Sequence, residues 1–368
     1  MSTVAPPGPT SRRLSPLALF EALATPHGVD RYLELLNPML TVRELRAEVT
    51  EVRRSTAESL TLTLRPTRQW RGFQAGQFVQ VSVDIDGVRR TRCYSPCCSQ
   101  HRDDGRIEIT IKAHHEGLVS RYLHAHASPG LVLGLSQAGG EFRLPGQRPA
   151  KVLLISGGSG ITPVLSMLRT LCDEGYAGEI AFLHYGRTAQ DVSHREELLA
   201  LAARHDNVRV VLAYTEQRTG GHLHGYFGPE HLAAAAPWHA EAETFLCGPP
   251  ALMSSVRALY EASGTAERLH TEQFQPAAPV ADGQASGAVR FEHSAITVDN
   301  SGATLLEQAE AAGLAPAHGC RMGICFSCTQ IKTSGCTRDV RTGETNSDPD
   351  TEIQLCISAP VGDVALNI

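Results

Sequence analysis

The chain has 368 residues, 42% of them hydrophobic and 20% charged, which gives room for two or three domains with the balance of an ordinary soluble protein. Its apolar stretches are short and broken by glycine or charge, which excludes a helix spanning a membrane, and a net charge of −6 gives no reason to expect nucleic-acid binding. That charge is uneven: residues 41–145 carry 15 Lys and Arg against 11 Asp and Glu, residues 287–368 carry 5 against 10, and such complementary modules either steer docking or are simply solvated.

Residues 1–13 (MSTVAPPGPTSRR) are proline-rich, small and polar, and are expected to be disordered. Over residues 14–40 apolar side chains recur at helical spacing, first Leu17, Phe20 and Leu23, then Tyr32, Leu33, Leu35 and Leu36. Thr25-Pro26-His27-Gly28 interrupts them, so the pattern predicts two short helices packed on the first domain. A membrane or partner surface is the alternative, but the face lacks basic charge. Period-two alternation begins at Val42 and continues through residues 60–64 (LTLTL), 78–83 (FVQVSV) and 107–111 (IEITI), with Asp86-Gly87 and Asp103-Asp104-Gly105 as turns. This predicts an antiparallel β-barrel over residues 41–146.

After Gln147 the pattern changes. Apolar runs at residues 151–155, 180–185, 208–214 and 244–247 alternate with helical segments, predicting an α/β domain with a parallel sheet over residues 147–275. Residues 276–286, within a stretch (275–287) rich in Pro, Ala, Gly and Ser, read as a linker. Residues 287–368 then begin with a hairpin (289–291 and 295–298) and a Thr-capped helix (304–312).

Three motifs in these domains suit phosphate and ring binding. Arg92-Cys93-Tyr94-Ser95 offers a guanidinium that can grip a phosphate and a flat aromatic face, and Gly117, Leu118, Val119 and Ser120 open a helix whose free N–H groups suit a pyrophosphate. Alone, an Arg beside a Tyr is usually a surface pair. GGSGITP, residues 157–163, joins a strand to a helix and lets the backbone of Gly157, Gly158 and Gly160 approach a dinucleotide's phosphates, with Thr162 and Pro163 starting the helix. Cys247-Gly248-Pro249-Pro250 closes a later strand, at the end of a sheet where α/β domains bind ligands.

The fourth motif is HGCRMGICFSC, residues 318–328. Cys320, Cys325 and Cys328 follow C-x4-C-x2-C, and Cys356 follows after twenty-seven intervening residues. This spacing is that of plant-type [2Fe–2S] ligation. Structural zinc would want paired C-x2-C knuckles or matching histidines, and only one C-x2-C is present. The N-terminus shows no apolar signal segment, so a reducing cytoplasm is expected and disulfides recede. Cys97 and Cys98 read as packing residues, Cys172 and Cys336 as inert, and the pairs His114-His115, His124 and His126, and His222 and His224 as solvated or core histidines.

In this order, R-x-Y-S, G-x-x-S, GGSGITP, CGPP and the cysteine set resemble the ferredoxin–NADP+ reductase superfamily over residues 41–368, in particular members with a C-terminal [2Fe–2S] domain. The resemblance implies a flavin-binding β-barrel, a nucleotide-binding α/β domain and a β-grasp ferredoxin domain. It implies that Arg92, Tyr94 and Ser95 hold the flavin (FAD, with FMN as the alternative), that Gly117, Leu118, Val119 and Ser120 hold its pyrophosphate, and that Gly157, Gly158, Gly160, Thr162, Pro163, Gly248 and Pro249 hold the nicotinamide nucleotide. Cys247 would lie near the nicotinamide, and Glu272 and Phe274, in HTEQF, would border the flavin with Ser95. Arg187 and Arg195, with no acidic residue directly at their strand end, favour NADPH over NADH. Residues 26–38 (PHGVDRYLELLNP) resemble the extension of actinobacterial reductases serving fatty-acyl desaturases or di-iron hydroxylases. The implied activity is electron transfer from NAD(P)H through flavin and [2Fe–2S] to an oxygen-activating protein, which would supply any membrane association. A reductase for a Rieske-type aromatic or steroid hydroxylase is the alternative, and an inactive zinc-stabilised binding protein the remote one.

Overall fold

The structure, a computed structural model, describes residues 29–115, 117–274 and 285–368. The expected disordered stretch, the first predicted helix and most of the linker lie outside the described residues. Among these residues no helix is long and apolar enough to cross a membrane.

The second predicted helix is present as α1 (Val29–Leu33), but its expected apolar seat is not. Leu35 and Leu36 are 80% and 81% exposed, whereas Asp30 is buried. The Asp30 carboxylate accepts hydrogen bonds from the backbone N–H groups of Val42, Arg43 and Glu44. Arg46 pairs with Glu34 and Glu44 and donates to the Pro38 carbonyl. Polar groups therefore tie this segment down. They also move the first strand from Val42 to Arg46, because residues 42–44 give their N–H groups to Asp30 and have none for a ladder.

The first sheet contains β1 (Arg46–Arg54), β2 (Ser59–Pro66), β3 (Val79–Ile85), β4 (Val88–Tyr94), β5 (Ile107–Lys112) and β6 (Val132–Leu135), all antiparallel in the order β4-β3-β6-β1-β2-β5. It closes towards a barrel where Pro96 bridges Ile109 and Cys97 N–H donates to the Glu108 carbonyl. Leu60, Leu62 and Leu64 fill its interior against Val79, Val81, Ile107, Ile109 and Ile111, each worth roughly 1.5–3 kcal/mol of burial. One helix, α2 (Leu118–His126), packs on this sheet through Val119 and Leu123.

The second sheet is parallel: β7 (Lys151–Gly157), β8 (Glu179–Gly186), β9 (Val208–Tyr214), β10 (Leu223–His224), β11 (Glu243–Cys247) and β12 (Leu269–Glu272), in the order β10-β9-β8-β7-β11-β12. Apolar clusters cover both its faces, which is why β7 reads as an unbroken apolar run. Helices α3 (Ile161–Asp173), α4 (Arg195–Arg204), α5 (Pro229–Ala235) and α6 (Pro250–Ala262) supply the cover. Chain order reverses between β7 and β11, so their carboxyl ends form the crevice where such sheets bind ligands.

The two sheets are joined by a paired polar seam. Thr61 and Thr63, which alternate with the leucines, are buried rather than solvated. Thr61 bonds Thr110 at 2.9 Å, and Thr110 meets His194 Nε2 at 2.8 Å. Beside them Arg169 pairs with Glu197 at 2.7 Å and Glu108 at 3.0 Å, and donates to the Cys97 carbonyl at 2.7 Å. Cys97 itself enters the core of the second sheet, and Cys98 that of the first.

The third sheet contains β13 (Ala288–Phe291), β14 (Ile296–Asp299), β15 (Thr329–Asp339), β16 (Thr345–Asn346), β17 (Thr351–Gln354) and β18 (Ser358–Leu366), in the order β14-β13-β18-β15-β16, with β17 on β15. Its one parallel pair, β13 with β18, sits among antiparallel pairs. Helix α7 (Leu305–Ala311) buries Leu305, Leu306 and Ala309 against it; Thr304 is its N-cap, as expected, and forms a capping box with Glu307. Thus the chain combines an antiparallel barrel-like sheet, a parallel α/β sheet and a mixed C-terminal sheet.

Candidate active site

One cavity of about 590 Å³ takes its wall from all three sheets. The first contributes Arg92, Cys93, Tyr94 and Ser95 from the end of β4, Thr110 and Lys112 from β5, and Gly117, Val119 and Ser120 at the start of α2. The second contributes Gly157, Gly158, Ser159, Gly160 and Thr162 after β7, Gly248 and Pro249 after β11, and Phe274 after β12. Cys320, Arg321 and Met322 of the cysteine loop complete it. Motifs far apart in sequence therefore face one space. Leu118 and Pro163 fall outside the lining: Leu118 is half exposed and Pro163 is buried inside α3.

The glycines are required by close approach. A Cβ on Gly160 would lie 2.2 Å from the Cys247 carbonyl oxygen, one on Gly157 2.9 Å from Pro249 Cδ, and one on Gly117 2.3 Å from Ser120 Oγ. The Ser120 hydroxyl donates to the Gly117 carbonyl at 3.2 Å and accepts from His114 N–H at 3.3 Å, fixing the turn into α2.

Two polar groups, Ser95 in the wall and Glu272 beside it but outside the lining, are left unsatisfied. Ser95 Oγ and Glu272 Oε2 are buried and have no well-formed hydrogen bond among the described residues. Unpaired buried oxygens of this kind suit a ligand edge rich in donors and acceptors, as a flavin and a nicotinamide both have. Ser156, Cys247 and Glu272 lie in register across β7, β11 and β12. Cys247 is fully buried in the sheet and does not line the cavity. Burial raises its thiol, as does neighbouring Glu272.

Burial also pushes the Glu272 carboxyl up to about 8, with the Ser95 hydroxyl opposing that shift. The folded protein therefore keeps this proton where the unfolded chain, near 4.5, has lost it. The group's contribution to stability is full below the unfolded value and is lost as pH rises through about 8. Glu272→Gln should raise the melting temperature above pH 8, by roughly 2–4 °C per kcal/mol recovered, and leave it nearly unchanged at about pH 4, below the unfolded value. Thermal unfolding at the two pH values checks this, and an equal shift at both would assign the effect to packing.

A second cavity of about 490 Å³ adjoins the first, sharing Lys112, Gly157, Gly158 and Pro249. Arg187 lines it, with Tyr185, Asp191, Thr215, Glu216 and Phe227. The guanidinium of Arg187 is half exposed and pairs with Asp191 at 2.9 Å and Glu58 at 3.3 Å. Arg195 does not line either cavity; its Nε donates to the Tyr214 hydroxyl at 3.2 Å. No acidic residue stands directly at the β8 end, but the fold brings Asp191, from the turn after β8, and Glu216, from the loop after β9, into the same lining, a proximity that cannot be read from sequence.

The cysteine loop folds back on its own sulfurs. Arg321, Gly323 and Phe326 have φ of 57°, 72° and 57°, and the turns they make aim Cys320 N–H at Cys325 Sγ at 3.2 Å and Met322 N–H at Cys320 Sγ at 3.3 Å. Cys320 neighbours Cys325 and Cys356, and Cys328 neighbours Cys356. No group of three or more His, Cys, Asp or Glu among the described residues forms a single-ion site. A two-iron cluster divides its four thiolates between two metals, so it requires no common centre.

Residues that sequence reasoning missed are Lys112, Thr110, Cys93, Ser159, Arg321, Met322 and His114, the last expected to be solvated or in the core but lining the cavity. Lys112 ends the IEITI alternation with a cation where both cavities meet, the one signal that was available.

Comparison with known proteins follows the same division. Residues 47–143 match the oxidoreductase FAD-binding domain family and residues 154–258 the oxidoreductase NAD-binding domain family. An NADPH oxidoreductase of Mycobacterium tuberculosis (strain ATCC 25618 / H37Rv) is 37% identical over 350 residues, 94% of this chain and 90% of that protein. The glycine betaine monooxygenase reductase subunit of Pseudomonas aeruginosa (strain UCBPP-PA14) is 31% identical over 319 residues, 80% of this chain and 87% of that one. Phthalate dioxygenase reductase, described as a modular structure for electron transfer from pyridine nucleotides to [2Fe-2S], shares the fold with a TM-score of 0.61 at 24% identity, over 89% of this chain and 98% of its own.

Proposed function

We propose, from the premise that this chain belongs to the ferredoxin-reductase-like oxidoreductases with paired FAD-binding and NAD-binding domains, that it is the reductase of an oxygen-activating system, carrying electrons from NADPH to a separate oxygenase through a [2Fe–2S] cluster. The observation that carries this reading is the single cavity walled by R-x-Y-S, the glycine turn and the cysteine loop together. When bound, a flavin would supply hydride acceptance from a nicotinamide and one-electron release, and an iron–sulfur group one-electron acceptance.

The chain's own residues bind and orient. Arg92, Tyr94 and Ser95 would hold the flavin, with Gly117 and Ser120 turning the α2 N–H groups towards its phosphates. Gly157, Gly158, Gly160 and Thr162 would receive the nucleotide's phosphates, with Lys112 between the two cavities as their counter-charge. Phe274 would cover the ring stack, and Glu272, protonated below about pH 8, would present a donor to it. Cys320, Cys325, Cys328 and Cys356 would hold the cluster as an all-thiolate set, the donor chemistry iron–sulfur groups take.

Arg187 supports NADPH over NADH, as does the name of the M. tuberculosis relative. Arg187→Ala should raise KM for NADPH about tenfold, the loss of one charge-assisted contact, and change KM for NADH little. Steady-state kinetics with both nucleotides test this, and equal effects would remove Arg187 from the phosphate site. For the acceptor, the resemblance of residues 26–38 supports a fatty-acyl desaturase or di-iron hydroxylase. The alternative is a Rieske-type aromatic or steroid hydroxylase, and the Pseudomonas relative supports a monooxygenase of either class. Reconstitution with each class of partner, scored by NADPH-dependent product, separates them; support of neither would overturn the proposal.

A further inference from the structure

Between Arg92 and Tyr94 lies a thiol that the binding roles above do not use. Cys93 sits on β4 beside the residues proposed to hold the flavin, is half-buried, and lines the same cavity as Cys320. The two thiols face the same space, and the Cys320 sulfur is the strongest influence on the Cys93 thiol, which it holds in its protonated form. The contact is braced, because Arg92 Nη1 donates to the Gly319 carbonyl at 3.3 Å, one residue before Cys320, and to its own neighbour's Thr91 carbonyl at 2.7 Å. β4 is itself fixed along its length to β3, with Gln80 opposite Cys93.

We propose that the Cys93 thiol, supplied by the first domain, donates a hydrogen bond to the Cys320 sulfur and thereby sets the potential of the cluster that the loop would hold. The inference rests on the [2Fe–2S] reading above. Hydrogen bonds to ligand sulfurs withdraw charge from the cluster and stabilise its reduced form, so they raise its midpoint potential. Most such donors come from a loop's own backbone, as Met322 N–H does here for Cys320. Cys93 differs because it comes from another domain, so the correction it makes depends on the cysteine loop being docked against β4. It acts as a positioning residue: it ties the potential of the electron acceptor to the geometry in which transfer from the flavin site is possible. A serine could replace its donor, whereas alanine or valine could not.

The test is a spectroelectrochemical titration of the purified holoenzyme, following the cluster's visible absorption, for wild type, C93A, C93V and C93S. Iron and sulfide analysis of each protein comes first: a wild type without them would overturn the cluster reading itself, whatever Cys93 does. With the cluster present, a midpoint potential that falls in C93A and C93V and returns towards wild type in C93S supports the proposal. An unchanged potential in all three, or an equal fall in all three, overturns it. C93V serves if C93A does not retain its cluster, since a β-branched side chain suits a strand.

Discussion

Cys325→Ser should leave a protein that still oxidises NADPH but no longer delivers electrons to a protein acceptor. Cys325 is the more exposed of the four cysteines and sits in a loop turned by Arg321, Gly323 and Phe326, so a serine there disturbs the fold little. It replaces a soft thiolate by a hard hydroxyl that is protonated at neutral pH, which iron–sulfur chemistry tolerates poorly. Losing a residue that merely orients a ligand typically costs 10–100-fold in metal affinity or activity, so transfer to cytochrome c or an oxygenase should fall by at least ~100-fold. Ferricyanide reduction, which the flavin supports directly, should keep most of its rate. The comparison of the two acceptors on one preparation is the check. Equal loss with both would mean the cysteine loop serves the flavin site structurally, and no loss would remove Cys325 from the electron path.

The second large effect is expected at Gly160. Its added Cβ would meet the Cys247 carbonyl carbon and oxygen at 2.5 and 2.2 Å and Gly248 N at 2.8 Å, all backbone atoms. No rotamer relieves such a clash. The turn after β7 must move away from the end of β11, and these are the two strand ends that flank the crevice. Gly160→Ala should therefore cost ~1–3 kcal/mol of stability and raise KM for NADPH by ~10-fold or more, with flavin content unchanged. Melting temperature, flavin absorbance and KM measured together separate these effects. Retained KM would show that the glycine turn does not position the nucleotide.

Much of this was legible because local pattern and tertiary role coincide. KVLLI followed by GGSGITP announces a buried parallel strand, a tight turn and a helix, and the three leucines of LTLTL point inward as their alternation requires. What failed was whatever depends on which element covers which. Thr61 and Thr63 look like a solvated face yet are buried, and Thr61 is bonded through Thr110 to His194 of the second domain. Leu35 and Leu36 look like a packing face yet stand in solvent, because Asp30 and Arg46 already fix the segment. Arg195 has the charge for a phosphate but is drawn to Tyr214. Cys93 and Arg92 gain their meaning from a loop 227 residues away, a distance over which periodicity carries no information.

Whether one cavity couples a flavin, a nicotinamide nucleotide and an iron–sulfur group is tested most directly by cofactor analysis of the purified protein followed by anaerobic titration with NADPH. The expected result is one FAD with two irons and two acid-labile sulfides per chain, and a visible spectrum in which NADPH bleaches both the flavin and the iron–sulfur bands. A protein with flavin whose iron–sulfur absorption is absent, or present but unaltered by NADPH, would contradict it.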